Sequence, residues 1–194
     1  MKVSPWKKVG APRTLARSHG KFFRVQQYQD PRTQEIKEFS QFGGEEFASI
    51  IFGITKEEEV LVIRQFRHAS NSVILELPGG TPKNGEHDAE LIARREFAEE
   101  TEGYVPQKII PLSKYPLWFD PSSFLTPFRP YLFTGCQQSH DRPPLDRGEY
   151  VKVDKIPVME WIDLISKNEV VDAKSITITF LALRHINLPI KRNA

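Results

Sequence analysis

Residues 95–100, which read Arg-Glu-Phe-Ala-Glu-Glu, constrain the fold more than any other stretch of this 194-residue chain. At about 100° of rotation per residue, a helix places Glu96, Glu99 and Glu100 within an arc of roughly 100°. Towards the N-terminus, the same arc continues over apolar residues, namely Ala89, Ile92 and Ala93. A helix face that begins with apolar residues is expected to be buried, and burying charged side chains there costs free energy unless the charge is compensated. The pattern therefore favours a cleft that holds cations.

Divalent cations would compensate these carboxylates. Close carboxylates repel one another, and a cation with oxygen ligands removes the repulsion. Mg²⁺ bound in this way commonly also binds a substrate phosphate. The alternative is an ordinary solvated helix, in which Arg95 and Glu99 form an ion pair one turn apart. The apolar start of the face favours the metal site.

The stretch resembles the Nudix box, Gly-x5-Glu-x7-Arg-Glu-U-x-Glu-Glu-x-Gly-U, in which U is an apolar residue. Gly80 and Glu86 have the expected spacing, and residues 95–100 fit the central part residue by residue. The sequence departs from the pattern at two places. Eight residues rather than seven separate Glu86 from Arg95, and two residues rather than one separate Glu100 from Gly103. Both extra residues fall near predicted helix ends, where a loop absorbs them without rotating the acids relative to one another.

The flanking sequence narrows this resemblance to the branch of ADP-ribose pyrophosphatases and nucleoside-diphosphate-sugar hydrolases. Residues 60–68 and 73–80 carry the similarity. That branch more often has Pro-Ala-Gly in the second segment, and Gly79 stands here in the place of the alanine. The resemblance implies that the backbone carbonyl of Gly79 is a metal ligand, and a side-chain change should affect such a ligand little.

The resemblance implies a mixed α/β (α+β) fold, with a Nudix-type α/β/α sandwich around a mixed sheet. We assign residues 1–45 to an N-terminal antiparallel β lobe and residues 46–194 to the hydrolase domain. Periodicity and turn residues predict strands over 21–28, 35–42, 46–54, 60–66, 73–77, 108–112, 131–134 and 149–153. They predict helices over 88–101, 159–167 and 173–186. The first three strands are expected to form an antiparallel hairpin or meander.

The resemblance also implies a reaction, in which water attacks one phosphorus of the diphosphate bridge of ADP-ribose or a related nucleoside diphosphate sugar. Mg²⁺, with Mn²⁺ as an alternative, would activate that water. The expected metal ligands are Gly79, Glu96, Glu99, Glu100 and Glu149. The expected catalytic residues are Glu99, Glu149, Asp146 and Arg95.

Within the catalytic set, Arg95 is expected to orient a carboxylate, and the general base is left open. Relatives tend to carry a further acid two residues before the loop glutamate, Glu149, but this chain has Arg147 there. Either Asp146 or Glu149 itself must then serve as the base.

Four residues are expected to bind the substrate. Arg64 and Arg67 are three positions apart on one strand, so an ideal strand sends them to opposite faces. The resemblance favours Arg67 for contact with the diphosphate, and a guanidinium matches phosphate oxygens well. Glu76 is expected to bind a ribose hydroxyl or to form a strand-edge ion pair. Phe119 is expected to stack on a base or to pack in the core.

Composition limits the partners and the compartment. The 27 basic and 25 acidic residues are too balanced for a general nucleic-acid-binding surface. The chain shows no apolar run of membrane-spanning length and no signal peptide, which predicts a cytoplasmic protein with a small nucleotide substrate. Cys136 is the single cysteine, so no internal disulfide forms. The resemblance implies a homodimer that exchanges N-terminal strands.

Two alternatives to the leading function stay open. One is a hydrolase of another diphosphate, such as a dinucleotide or a GDP-sugar, because the box sets the cleaved linkage while loops contact base and sugar. The other is a nucleotide-sensing Nudix module that binds without cleaving, which the two spacing departures and Arg147 favour.

Overall fold

The structure is a computed structural model that describes residues 3–186, so the extreme ends of both predicted domains lie outside the described part. The chain divides into two compact units. One unit contains the N-terminal stretch up to Phe47 together with Trp118–Pro127. The other contains Ala48–Leu117 and the chain from Phe128 onward. The functional division at residues 45 and 46 stays a prediction.

The first unit contains an antiparallel meander of three strands, β1 (Lys7–Ser18), β2 (Lys21–Gln29) and β3 (Ile36–Gly43). The predicted hairpin over residues 21–42 is confirmed. The predicted third member, residues 46–54, is wrong as part of the meander, because that strand lies in the sheet of the second unit. Its place is taken by β1, which the sequence did not predict.

The second unit is built on a mixed sheet. Its strands are β4 (Ala48–Thr55), β5 (Glu59–Arg67), β6 (Ser72–Glu76), β7 (Gly79–Gly80), β8 (Tyr104–Val105), β9 (Lys108–Pro111), β11 (Pro127–Gln138) and β12 (Val151–Pro157), while β10 (Leu117–Trp118) lies where the chain leaves the unit. The central order is β11-β4-β5-β12, with β11 and β4 parallel and the other two neighbouring pairs antiparallel. Short strands β6 and β7 pair with β5 and β4 respectively.

Helices lie against both faces of this sheet, namely α1 (Ala89–Glu100), α2 (Val158–Ser166) and α3 (Ala173–Leu183). Because side chains alternate along a strand, β4 sends Phe52 into a core with Trp161 of α2 and neighbouring Ile51 into a second core with Phe97 of α1. The predicted mixed α/β fold class is confirmed. No helix within residues 3–186 has the length and apolarity needed to cross a membrane.

Tight packing fixes the position of α1 on β4. A methyl group added at Gly53 of β4 would lie 2.3 Å from the ring of Phe97, so only glycine allows this approach. Asp88 caps the helix by accepting hydrogen bonds from the backbone N–H groups of residues 90 and 91. After the helix, Glu102 and Gly103 both have positive φ angles of 56° and 89°. The extra residue before Gly103 is thus absorbed in a left-handed turn beyond the acids.

Candidate active site

The glycine segment of β7 lies directly against the acids of α1. The backbone N–H of Gly79 donates a hydrogen bond of 2.7 Å to Oε2 of Glu100. A methyl group at Gly79, where φ is +155°, would lie 2.3 Å from the carbonyl oxygen of Ser49. A methyl group at Gly80 would lie 2.4 Å from the carboxylate of Glu96. Both glycines are therefore in close contact with a neighbour, Gly79 with the backbone of β4 and Gly80 with the carboxylate of a helix side chain.

The acidic face of α1 is buried. Glu96, Glu99 and Glu100 are only 6%, 8% and 4% exposed. Burial raises the pKa of Glu96 to about 7, although Arg95 opposes the shift. Burial raises the pKa of Glu100 to about 8, although the hydrogen bond from Gly79 opposes it. The face is therefore not a solvated flank, and its charge needs compensation.

Arg95 connects four oxygen-bearing groups at the start of this face. Its Nε and Nη2 donate to the two carboxylate oxygens of Glu86, both at 2.9 Å. Its Nη1 lies 2.9 Å from Glu99, and Nη2 lies 3.0 Å from Glu96. Nη2 also donates to the carbonyl oxygen of Thr81 at 3.1 Å. The pair of Glu86 and Arg95 therefore forms despite the longer spacing in the sequence.

Lys83 belongs to this cluster, and sequence reasoning missed it. Its Nζ lies 3.0 Å from Oε1 of Glu99 and 2.7 Å from Oδ1 of Asp146. Burial alone would lower the pKa of Lys83, but the hydrogen bonds to Asp146 and Glu99 raise it overall. The only sequence signal was a cation in the middle of the segment from Gly80 to Glu86.

The two loop acids differ in their surroundings. Oε2 of Glu149 is buried and finds no hydrogen-bond partner among the described residues. The charge of Glu149 acts on Glu96 and Glu100, whose pKa values it helps to raise. Asp146 instead has a side chain that is 46% exposed and is paired with Lys83. Glu149 therefore faces the acids of α1, while Asp146 lies at the outer side of Lys83.

The donor set suits a hard divalent cation. Carboxylates and a backbone carbonyl are the oxygen ligands that Mg²⁺ prefers, and the unpaired Oε2 of Glu149 is an oxygen free to join them. As the side chains stand, Arg95, Lys83 and the N–H of Gly79 hold the acid oxygens. Within residues 3–186, no three His, Cys, Asp or Glu side chains are close enough together to hold an ion.

The two predicted arginines have different partners. Nε and Nη2 of Arg67 both lie 2.7 Å from Oε1 of Glu76, whose side chain is almost fully buried. The charge of Arg67 also acts to lower the pKa of Glu100, which burial raises. Arg64 instead binds Asp154 on β12 at 2.6 Å. Of the two interpretations of Glu76, the structure shows the ion pair.

Phe119 belongs to the first unit and is 57% exposed. Its ring contacts that of Phe124 edge to face at a centroid distance of 6.4 Å. The expectation that Phe119 packs in the core is therefore wrong. Stacking on a base stays a prediction.

Comparison with known proteins agrees with this fold. The model of the NUDIX domain family matches residues 45–177, which is more than half of the chain. The chain therefore belongs to the Nudix family, and it is a Nudix hydrolase. Enzymes of this family generally use divalent metal ions such as Mg²⁺.

Individual relatives support the ADP-ribose pyrophosphatase branch. The ADP-ribose pyrophosphatase of Bacillus subtilis (strain 168) is 28% identical over 141 residues, which cover 73% of this chain and 72% of that protein. The methanol dehydrogenase activator of Bacillus methanolicus is 27% identical over 144 residues, with coverage of 73% and 72%. A crystal structure of an ADP compounds hydrolase has a TM-score of 0.80 at 18% identity, and covers 95% of this chain and 96% of that chain.

Proposed function

We propose that this Nudix hydrolase cleaves the diphosphate bond of ADP-ribose or a related nucleoside diphosphate sugar, with Mg²⁺ as the activating ion. The products would be a nucleoside monophosphate and a sugar phosphate. The observation that carries the proposal is the buried acidic face of α1, packed on Gly79 and Gly80 and facing Glu149. The similarity to an ADP-ribose pyrophosphatase supports the substrate class.

The metal ligands in this proposal are the carbonyl oxygen of Gly79 and the carboxylates of Glu96, Glu99, Glu100 and Glu149. When bound, the metal would lower the pKa of a water molecule and neutralise charge on the phosphates. The protein must first release protons, because burial raises the pKa of Glu96 to about 7 and that of Glu100 to about 8. Arg95 holds the carboxylates of Glu96 and Glu99 in place through ion pairs.

We assign the general base to Glu149 rather than to Asp146. The carboxylate of Glu149 has a buried oxygen without a hydrogen-bond partner among the described residues, so one of its oxygens can bind the ion while the other accepts a proton from water. Oδ1 of Asp146 is instead occupied by its ion pair with Nζ of Lys83.

Arg67 is the residue that we assign to the diphosphate. Its side chain is partly exposed, and Glu76 holds the guanidinium from the buried side. The N–H groups that do not face Glu76 remain available for phosphate oxygens. Arg64 is held by Asp154 and receives no diphosphate contact in this proposal.

A homodimer through the N-terminal sheet is the assembly that we propose. Large apolar side chains of this unit are exposed, among them Trp6, Leu15, Phe23, Ile36, Phe39 and Phe42. Concentrated exposed apolar surface of this kind marks an interface. Light scattering at micromolar protein concentration should give twice the mass of the 22.4 kDa chain, and a monomer would contradict the proposal.

The activity test is incubation with Mg²⁺ and a panel of ADP-ribose, GDP-mannose and a diadenosine compound, followed by chromatography of the products. We expect AMP and ribose 5-phosphate from ADP-ribose. Glu96→Gln should lower turnover by about a hundredfold or more, because it removes a metal ligand. Glu90→Gln is the matched control on the outer face of α1, where Glu90 pairs with Arg94, and should leave turnover unchanged.

Three results separate the alternatives. Preferential cleavage of GDP-mannose or of the diadenosine compound would replace ADP-ribose as the proposed substrate but would leave the proposed mechanism unchanged. Binding of a nucleotide without cleavage would point to a sensing module. Failure to bind or cleave every compound with Mg²⁺ or Mn²⁺ would overturn the proposal.

A further inference from the structure

Lys83 joins two parts of the site that come from distant parts of the chain. Its Nζ lies 3.0 Å from Glu99 of α1 and 2.7 Å from Asp146, in the loop between β11 and β12. The backbone N–H of Lys83 donates to Oε2 of Glu86 at 2.8 Å, which fixes the base of the side chain. The ammonium group is therefore held between the helix and the loop.

Both carboxylate oxygens of Glu99 have cationic partners. Nη1 of Arg95 lies 2.9 Å from Oε2, and Nζ of Lys83 lies 3.0 Å from Oε1. A divalent ion that uses Glu99 as a ligand must therefore displace one of the two cations, because like charges repel at such short range.

Of the two cations, Lys83 is the one that a divalent ion can displace from Glu99 more easily. Its side chain is 41% exposed and flexible, and its remaining contact is the single carboxylate of Asp146. Arg95 is only 19% exposed and is also held by Glu86 and by the carbonyl oxygen of Thr81. Displacing Arg95 would break more hydrogen bonds than displacing Lys83.

We infer that Lys83 is a positioning residue that holds Glu99 and Asp146 together and gives up Glu99 to an incoming divalent ion. The inference rests on the proposed function, because it takes the acids of α1 as metal ligands. Lys83 lowers the affinity for the ion, since the ion must replace it. Lys83 also holds the loop that carries Asp146 and Glu149 against the helix until the ion arrives.

The first test is a titration of the whole protein with Mn²⁺ in the absence of substrate. Electron paramagnetic resonance of the free Mn²⁺ measures the binding. Lys83→Met should lower the Kd for Mn²⁺ by between about threefold and about tenfold at low ionic strength, and less at high salt. Lys83→Arg keeps the charge and should stay near the wild-type Kd. Lys155→Met is the matched control, because Lys155 is similarly exposed but pairs with Glu59.

The second test reads the loop directly, by trypsin digestion in the presence of EDTA. Arg147 is exposed and precedes a glycine, so trypsin can cut after it. Arg142 precedes a proline, which blocks cleavage by trypsin. Lys83→Met should be cut after Arg147 several times faster than the wild type or Lys155→Met. Equal rates would overturn the role of Lys83 in holding the loop.

The outcomes distinguish this inference from the proposed function. An unchanged or higher Kd for Mn²⁺ in Lys83→Met overturns the inference, even when the wild type hydrolyses ADP-ribose. Tighter Mn²⁺ binding in Lys83→Met, with no hydrolysis of any compound by the wild type, supports the inference and overturns the proposed function. A wild type that binds no Mn²⁺ overturns both.

Discussion

Replacing Glu100 with glutamine should stabilise the protein at high pH when divalent ions are removed. Glu100 is 4% exposed, and burial raises its pKa from the ordinary 4.5 to about 8. Between these two values the folded state binds more protons than the unfolded state. The contribution of Glu100 to stability is therefore full below about pH 4.5 and is lost as the pH rises through about 8. Glutamine stays neutral, and its carbonyl oxygen can still accept the hydrogen bond from Gly79.

The size of the effect follows from the two pKa values. The difference between 4.5 and about 8 corresponds to about 5 kcal/mol of unfolding free energy. Movement of neighbouring groups and entry of water will reduce this figure. We therefore expect Glu100→Gln to be about 2 to 5 kcal/mol more stable than the wild type near pH 9, and to match it within about 1 kcal/mol near pH 5.

Urea unfolding with EDTA, followed by fluorescence of the three tryptophans, measures this difference. Glu90→Gln is the control, because Glu90 lies on the same helix and is partly exposed beside Arg94. Saturating Mg²⁺ near pH 9 should reverse the order, since it binds and stabilises the wild type more strongly. If the stability difference between Glu100→Gln and the wild type is the same near pH 5 and pH 9, Glu100 is not held protonated by burial.

Three further substitutions test the contacts that shape the site. Gly80→Ala should raise the Mg²⁺ concentration for half-maximal turnover by at least about tenfold, because its methyl group would lie 2.4 Å from the Glu96 carboxylate; an unchanged Mg²⁺ titration would contradict this. Gly53→Ala should lower the unfolding free energy in urea by about 1 to 3 kcal/mol, since the methyl group would overlap the ring of Phe97. Arg95→Ala should raise the Mg²⁺ requirement more than the KM for ADP-ribose, and equal Mg²⁺ dependence would show that Arg95 does not orient the acids.

Several elements of the second unit were predicted well from the sequence. Strand β5 and helices α1 and α2 lie within two residues of their predicted bounds, because buried neighbours on both sides enforce the pattern. Strand β1 was missed because almost every residue in it is exposed, so its side chains show no alternation of burial. Strands β7, β8 and β10 contain two residues each, and pairing with a neighbour defines them rather than local propensity.

Helical phase alone predicted that Glu96, Glu99 and Glu100 share one face, because one helix carries all three. The loop acids Glu149 and Asp146 were expected only from the resemblance to the Nudix family. Contacts between distant segments could not be predicted in this way. Lys83 reaches Asp146 only when the loop between β11 and β12 folds back to α1. The choice of Arg67 over Arg64 likewise depends on which neighbour each finds, Glu76 or Asp154. The alternation of side chains along a strand places the two arginines on opposite faces of the sheet. It does not show which of these faces lies against the acids of α1.

The two extra residues show which spacings of the Nudix box are constrained by the helix and which can vary. The extra residue after Glu86 lies before the helix, where the bidentate contact of Glu86 with Arg95 is kept. The extra residue before Gly103 lies in the left-handed turn after the helix, where the N–H of Gly103 still donates to the carbonyl oxygen of residue 98 at 2.8 Å. Neither insertion rotates Glu96 relative to the other two acids of α1, since an unbroken helix fixes their phase. A residue inserted between Glu96 and Glu99 would instead turn one acid by about 100° into the core beside Phe97. The length of the motif can therefore vary at its ends, while the spacing within α1 cannot.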